Sequence, residues 1–135
     1  MMEKEKIIYE YCLLRYVPDI ERGEFLNVGL MMMSKRFRWM RCSLHLDDDR
    51  IQAGLRNVDM KRLAIQLDLF ERNDVPAKDL SVEERYRWLA AVKSAVIQTS
   101  PSHPGIIPVP VGTSRPEAVS LLEEKFNSLF GRLVK

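Results

Sequence analysis

The sequence predicts an α+β fold: a small, mostly antiparallel sheet of three N-terminal strands and one later edge strand, with about four helices packed on it. Three observations carry that prediction. Strand-like apolar runs crowd into the stretch before Leu46, helical spacing takes over after it, and a proline-alternating run interrupts the helices before the last of them.

From Ile7 to Val17 nearly every residue is apolar or aromatic. Tyr9, Tyr11, Leu13 and Val17 fall on one face, and Ile8, Cys12, Leu14 and Tyr16 on the other, as expected of an interior strand covered on both sides. Pro18 is expected to end it. Leu26 to Met33 reads as a second strand with Leu26, Val28, Leu30 and Met32 on one face; the run Met31-Met32-Met33 is explained by core filling. Ser34-Lys35-Arg36 then makes a hairpin connection into a third strand, Phe37 to Leu46, whose odd positions Arg41, Ser43 and His45 predict one wet face.

Asp47-Asp48-Asp49 suits the cap of a short helix through Ile51 and Leu55, and Asp59 caps a second helix with Met60, Leu63, Leu67 and Phe70 on one stripe. Ser81 with Glu84 forms a capping box for a third helix, carrying Tyr86, Leu89, Ala90, Val96 and Ile97. TSPSHPG, residues 99–105, breaks it. In Ile106 to Val111, Pro108 and Pro110 stand two apart, so their missing N–H groups share one side, and the run reads as an edge strand blunted by proline. Ser114 and Glu117, with Pro116 in the first turn, open a last helix striped by Ala118, Leu121, Leu122, Phe126, Leu129, Phe130 and Leu133.

A chain of 135 residues, 46% hydrophobic and 30% charged, has the size and composition of one soluble domain covering residues 1–135. The formal charge of +2 does not by itself imply nucleic acid as partner. Cys12 and Cys42 sit in apolar runs without CxxC spacing, as reduced cysteines of a cytosolic protein would. The start, MMEKEK, leads into a short apolar run broken by Glu10, which is neither a signal peptide nor a membrane span; a cytoplasmic location is expected.

The densest cluster of polar chemistry is RYVPDIERGEFLNVG, residues 15–29. Its pattern, R-Y-x-P-D-x-x-R-G-E-x-x-N-V-G, resembles the signature of an uncharacterised bacterial family, domain of unknown function 3037, at Arg15, Tyr16, Pro18, Arg22, Gly23, Glu24, Asn27, Val28 and Gly29. The closing helix, from Pro116-Glu117 to Leu133-Val134, resembles the family's ending. The resemblance brings no established activity. It implies a regulatory or partner role, because members are often encoded beside HipA-like kinases, and such a kinase is the partner it points to.

Within the motif, Pro18 and Gly23 suit a turn, and Gly29 inside a strand suggests a bulge or the close approach of another backbone. The functional alternative has Arg15, Arg22, Glu24 and Asn27 converge at a strand end and hold an anionic or peptide ligand, which the planar fork of arginine suits. The turn-holding reading is favoured, and these four residues are the candidate partner-binding set. Basic and aromatic residues interleave in KRFRWMR, residues 35–41, making Lys35, Arg36, Arg38 and Arg41 a weaker nucleic-acid candidate against an ordinary amphipathic strand.

Other chemistry finds less support. His45 with Asp47 to Asp49 reads as a helix cap rather than a metal site, since adjacent aspartates diverge. Ser100, Ser102 and His103 lack a nucleophile elbow, and neither GxGxxG nor GxxxxGK[ST] occurs. No cofactor is expected. Glu10, Asp19, Glu21 and Glu24 are the carboxylates a metal-dependent nuclease-like enzyme would draw on, and that is the alternative function. The preferred function is a non-enzymatic protein-binding or regulatory module, with self-association through an open sheet edge as a further expectation.

Overall fold

The computed structural model describes residues 4–19, 24–45, 67–68, 70, 79–91 and 97–134. Within them the order is β1 (Lys4–Asp19), β2 (Glu24–Ser34), β3 (Trp39–Leu44), α1 (Val82–Ala90), β4 (Ile97–Thr99), β5 (His103–Pro110) and α2 (Arg115–Leu133). Five strands form one antiparallel sheet in the order β3-β2-β1-β4, with β5 also on β1. The α+β prediction holds, with two of the four expected helices among the described residues. Those expected from Asp47 and Asp59 lie outside them, except that Leu67, Asp68 and Phe70 are helical.

β1 is the interior strand. One of its sides pairs with β2; the other is shared end to end by β5, against Lys4 to Tyr11, and β4, against Leu14 to Tyr16. Between them Ser100 takes the place of a ladder residue. Its N–H donates to the Leu13 carbonyl at 2.8 Å, and its hydroxyl accepts from the Leu13 N–H at 2.8 Å. This corrects the reading of Ile97 as helical. α1 ends at Ala90, whose carbonyl accepts from the Thr99 hydroxyl at 2.5 Å, and the chain re-enters the sheet at Ile97. The proline-blunted strand is longer than expected, beginning at His103, and among the described residues it pairs with β1 alone.

Two register shifts set the faces of the β1–β2 pair. Leu14 stands opposite Gly29 and Arg15 opposite Asn27, so Val28 is an extra residue on β2. The bulge reverses the alternation. Leu30 and Met32 face the α2 side, while Leu26 and Val28 pack with the α1 side, correcting the expectation that all four share a face. The second shift, between Tyr16 and Asp19, lets β1 run past Pro18, where a bulge accommodates a residue with no N–H to give.

The hairpin between β2 and β3 also differs. Ser34 pairs with Trp39, so the loop is 35–38 and Phe37 lies in the turn. Arg38 adopts a left-handed φ of 50°, and Arg115, far along the chain in the first turn of α2, fixes the turn by donating to the Phe37 carbonyl at 2.9 Å and the Arg38 carbonyl at 3.2 Å. Nor is the odd face of β3 simply wet. Trp39 is buried, and Arg41 lies over the Phe126 ring at 4.3 Å and donates to Asn127 at 3.0 Å.

Core residues therefore lie on both sides of the sheet. On one side Ile7, Tyr9, Leu13, Leu30 and Met32 meet Ala118, Leu122, Phe126 and Leu129 of α2; on the other Cys12, Leu14, Val28, Met31 and Met33 meet Tyr86 and Leu89 of α1, with Leu67 and Phe70. Ser81 caps α1 with a complete capping box, and Ser114 accepts from Glu117 N–H at 3.3 Å to cap α2. No helix among the described residues is long and apolar enough to cross a membrane.

Candidate functional site

Among the described residues, two places gather the polar side chains that the sequence singles out. The first is the end of the sheet that carries the motif of residues 15–29. Asn27, on the α2 side of the bulge, donates its amide to the Leu133 carbonyl at 3.2 Å, closing the C-terminus of α2. Arg15, its register partner, lays its guanidinium over Phe25 at 4.3 Å, and its Nε is buried without a hydrogen-bond acceptor among the described residues. Arg22 lies outside the described residues, and Glu24 is placed only as the first residue of β2, opposite Asp19. The structure thus brings Arg15 and Asn27 together, and gives Asn27 and Gly29 local architectural work.

The second place is on the α1 side, at the opposite end of β1. α1 covers the sheet over Cys12, Leu14 and Tyr16 but leaves the earlier part of β1 open. Ile8 and its cross-strand partner Ile106 are 61% and 54% exposed. Beside them a cleft of about 590 Å³ has Ile8 and Met33 in its lining. Lys35, Arg36, Arg38 and Arg87 contribute four cations to it against the carboxylates of Glu10 and Glu83. Lys35 pairs with Glu83 at 3.1 Å, and Arg36 reaches Glu5 at 3.2 Å; Arg38 has no ion-pair partner among the described residues. Of the predicted basic set, three members therefore line one cleft, while Arg41 is engaged with Asn127 on the other face of the sheet.

A connected polar network runs inward from Glu10 and Arg87, which line the cleft. Arg87 grips Glu10 with both terminal nitrogens, one of them at 2.9 Å from Oε1. The Ser102 hydroxyl donates to the same oxygen at 3.0 Å and meets the Tyr86 hydroxyl at 2.7 Å. The Arg87 hydrogen bonds hold the Glu10 carboxyl below its ordinary 4.5, outweighing the opposing effect of burial. Burial pushes the Cys12 thiol up to about 11 and the Tyr86 hydroxyl well above its usual range. Each shift leads away from neutrality, so none of these groups is poised to exchange a proton near pH 7. Among the described residues no three His, Cys, Asp or Glu side chains gather closely enough to hold a metal ion.

Sequence reasoning named Glu10 among the carboxylates and the hairpin cations, but missed Arg87, Tyr86 and Ser102 as its partners. Glu10 breaking an apolar strand was the available signal; the partners come from α1 and from the segment before β5, with nothing local to announce them.

The Glu10–Arg87 pair has a testable pH signature. A depressed carboxyl contributes stability above its unfolded value of 4.5, and that contribution is lost as the pH falls through the lower folded value. Both side chains are partly exposed, at 24% and 47%, so screening keeps the term below about 1 kcal/mol. Glu10→Gln is therefore expected to melt slightly lower than the wild type at neutral pH, with the gap closing on acidification. Thermal melts of both proteins from about pH 7 to about pH 3 check it; a gap that stays constant would mean the pair carries no such term.

No curated protein and no solved structure matches the chain. The family model described as Protein of unknown function (DUF3037) matches residues 11–134, nearly the whole chain from the middle of β1 to the end of α2, and the protein belongs to that family.

Proposed function

We propose that this protein is a non-enzymatic module that binds another protein through the half of the sheet that α1 leaves open. The observation that carries this reading is the exposed Ile8–Ile106 pair beside a cation-rimmed cleft, since contiguous apolar surface framed by charge marks interaction sites. The shifts of Cys12, Tyr86 and Glu10 away from neutrality support a binding role over acid–base chemistry at this place. A HipA-like kinase is the first partner to try.

A photo-crosslinking side chain placed at position 106, with a control at exposed Ser120 on α2, tests the reading in cells. The expected result is one identified protein captured from position 106 and not from 120, with yield falling at least about tenfold on Ile8→Asp. Ile8 is largely solvated, so that change alters the surface with little effect on folding. Capture of a second copy of this chain alone, or of nothing, would overturn the reading.

A further inference from the structure

The open surface carries enough chemistry to say what it would accept. Resting on the reading above, we propose that its occupant is an amphipathic helix of a partner protein, with acidic residues flanking its apolar stripe, one of which enters the cleft to reach Arg38.

Strand addition is disfavoured on this side. Pro104, Pro108 and Pro110 alternate along β5, so on the side where an added strand would need donors, three of them are absent. The face itself is what remains. In the antiparallel register Lys6 stands across from Pro108, Ile8 from Ile106 and Glu10 from Pro104, so the open face presents a short apolar centre with a cation on one flank. α1 already packs as a helical layer over the neighbouring part of this face, and a second helix beside it would extend that layer.

Charge decides the flank of the incoming helix. The cleft has four cations against two carboxylates, and the exposed Lys4 and Lys6 add to the same end of the sheet. A second copy docking face to face would bring these like charges together, which argues against a symmetric dimer here. Arg38 is the strongest anchor. Lys35, Arg36 and Arg87 each have an internal carboxylate, at Glu83, Glu5 and Glu10, whereas Arg38 has none among the described residues. It is also the only non-glycine with positive φ among them, and Arg115 holds that conformation through the carbonyls of residues 37 and 38. A backbone fixed in a sparsely populated region with its charge left unmatched is what a pre-arranged contact residue requires. Glu10 acts beside it as a positioning residue: it holds Arg87 in a two-bond fork and limits how much negative charge the cleft takes in.

The probe is a leucine-striped helical peptide of about 18 residues with glutamate on both flanks, and a twin in which lysine replaces glutamate. Binding of each is followed by fluorescence anisotropy at low and at physiological salt. The glutamate peptide is expected to bind at least about tenfold more tightly than its twin, with the margin narrowing as salt rises. Arg38→Glu is expected to cost the glutamate peptide about tenfold and to reverse the preference, Arg38→Gln to fall between, and Glu10→Gln to tighten glutamate-peptide binding severalfold. Arg38 is exposed, and melting curves of its variants establish that they fold. Equal binding of the two peptides, no binding of either, or indifference to Arg38→Glu would each overturn the proposal. The two readings fail separately: a partner still captured at position 106 in the Arg38→Glu protein would leave protein binding intact and remove only its acidic selectivity, whereas no partner captured at 106 by the wild type removes protein binding itself.

Discussion

Phe126→Ala is expected to lower the unfolding free energy by about 3–5 kcal/mol, the range for truncating a buried aromatic ring. Phe126 has no solvent exposure and sits where α2 crosses the sheet. Its ring meets Trp39 edge-on at 6.5 Å, stacks on Phe130 at 6.0 Å and lies under the Arg41 guanidinium at 4.3 Å. Removing it deletes the apolar contact and the surface on which Arg41 rests, while Trp39, hydrogen-bonded through its indole N–H to Glu123 at 2.9 Å, is poorly placed to collapse into the hole. Phe130→Ala, at a half-buried position, is the control and should cost markedly less. Chemical denaturation with matched slopes measures both; equal losses would show that α2 is anchored by general burial rather than by this aromatic contact.

The sequence foretold what repeats and missed what interrupts a repeat. Ser81 with Glu84, and Ser114 ahead of Pro116, announced both described helices because capping chemistry is local, and the stripe from Ala118 to Leu133 named the face that α2 buries. The alternation of β1 gave its two faces for the same reason, but Ile8, expected on a covered face, is 61% exposed because α1 covers only the later part of the strand. Gly29 was legible as a bulge or a close approach, yet its consequence was not: one extra residue at Val28 turns Leu26 and Asn27 over, which follows only from the register against β1. Ile97 was misread because an apolar residue after a helix continues the helical stripe equally well, and the hydrogen bonds that return it to the sheet are made by Ser100 to Leu13, far away in the chain. Similarly, the wet face expected of β3 was a sound inference from Arg41 and Ser43 taken alone. It held only in part, because α2 supplies Glu123, Asn127 and Phe126 to receive the arginine, which stays partly exposed. The candidate site follows the same rule. Three of its four cations lie in one contiguous hairpin and could be seen, whereas Arg87 of α1, with Ser102, meets Glu10 only once the sheet is assembled.

Gly29→Ala is expected to destabilise the protein by about 1–2 kcal/mol, although alanine restricts the unfolded chain and on that account alone would stabilise by about 0.4–1 kcal/mol. A Cβ at position 29 would stand 2.7 Å from Leu44 Cδ2, 3.0 Å from Leu14 Cδ1 and 3.0 Å from the Ser43 carbonyl oxygen. Leu44 is half-buried at the end of β3 and can rotate away, so the first contact is inexpensive to relieve. The other two are not. Leu14 is fully buried between α1 and the sheet, and the Ser43 oxygen belongs to the backbone of the neighbouring strand. Relief would have to open the β2–β3 ladder at the bulge that positions Asn27 against the end of α2, so a local clash spreads to the helix cap. Two comparisons make the result specific. Leu44→Ala in the Gly29→Ala background should recover only a minor part of the loss, the remainder belonging to Leu14 and the strand backbone. Gly131→Ala, inside α2 with nothing within 4 Å of the added methyl, should instead stabilise by about 0.5–1 kcal/mol through helix propensity. If Gly29→Ala raises the denaturation midpoint as Gly131→Ala does, close packing is not what makes residue 29 a glycine.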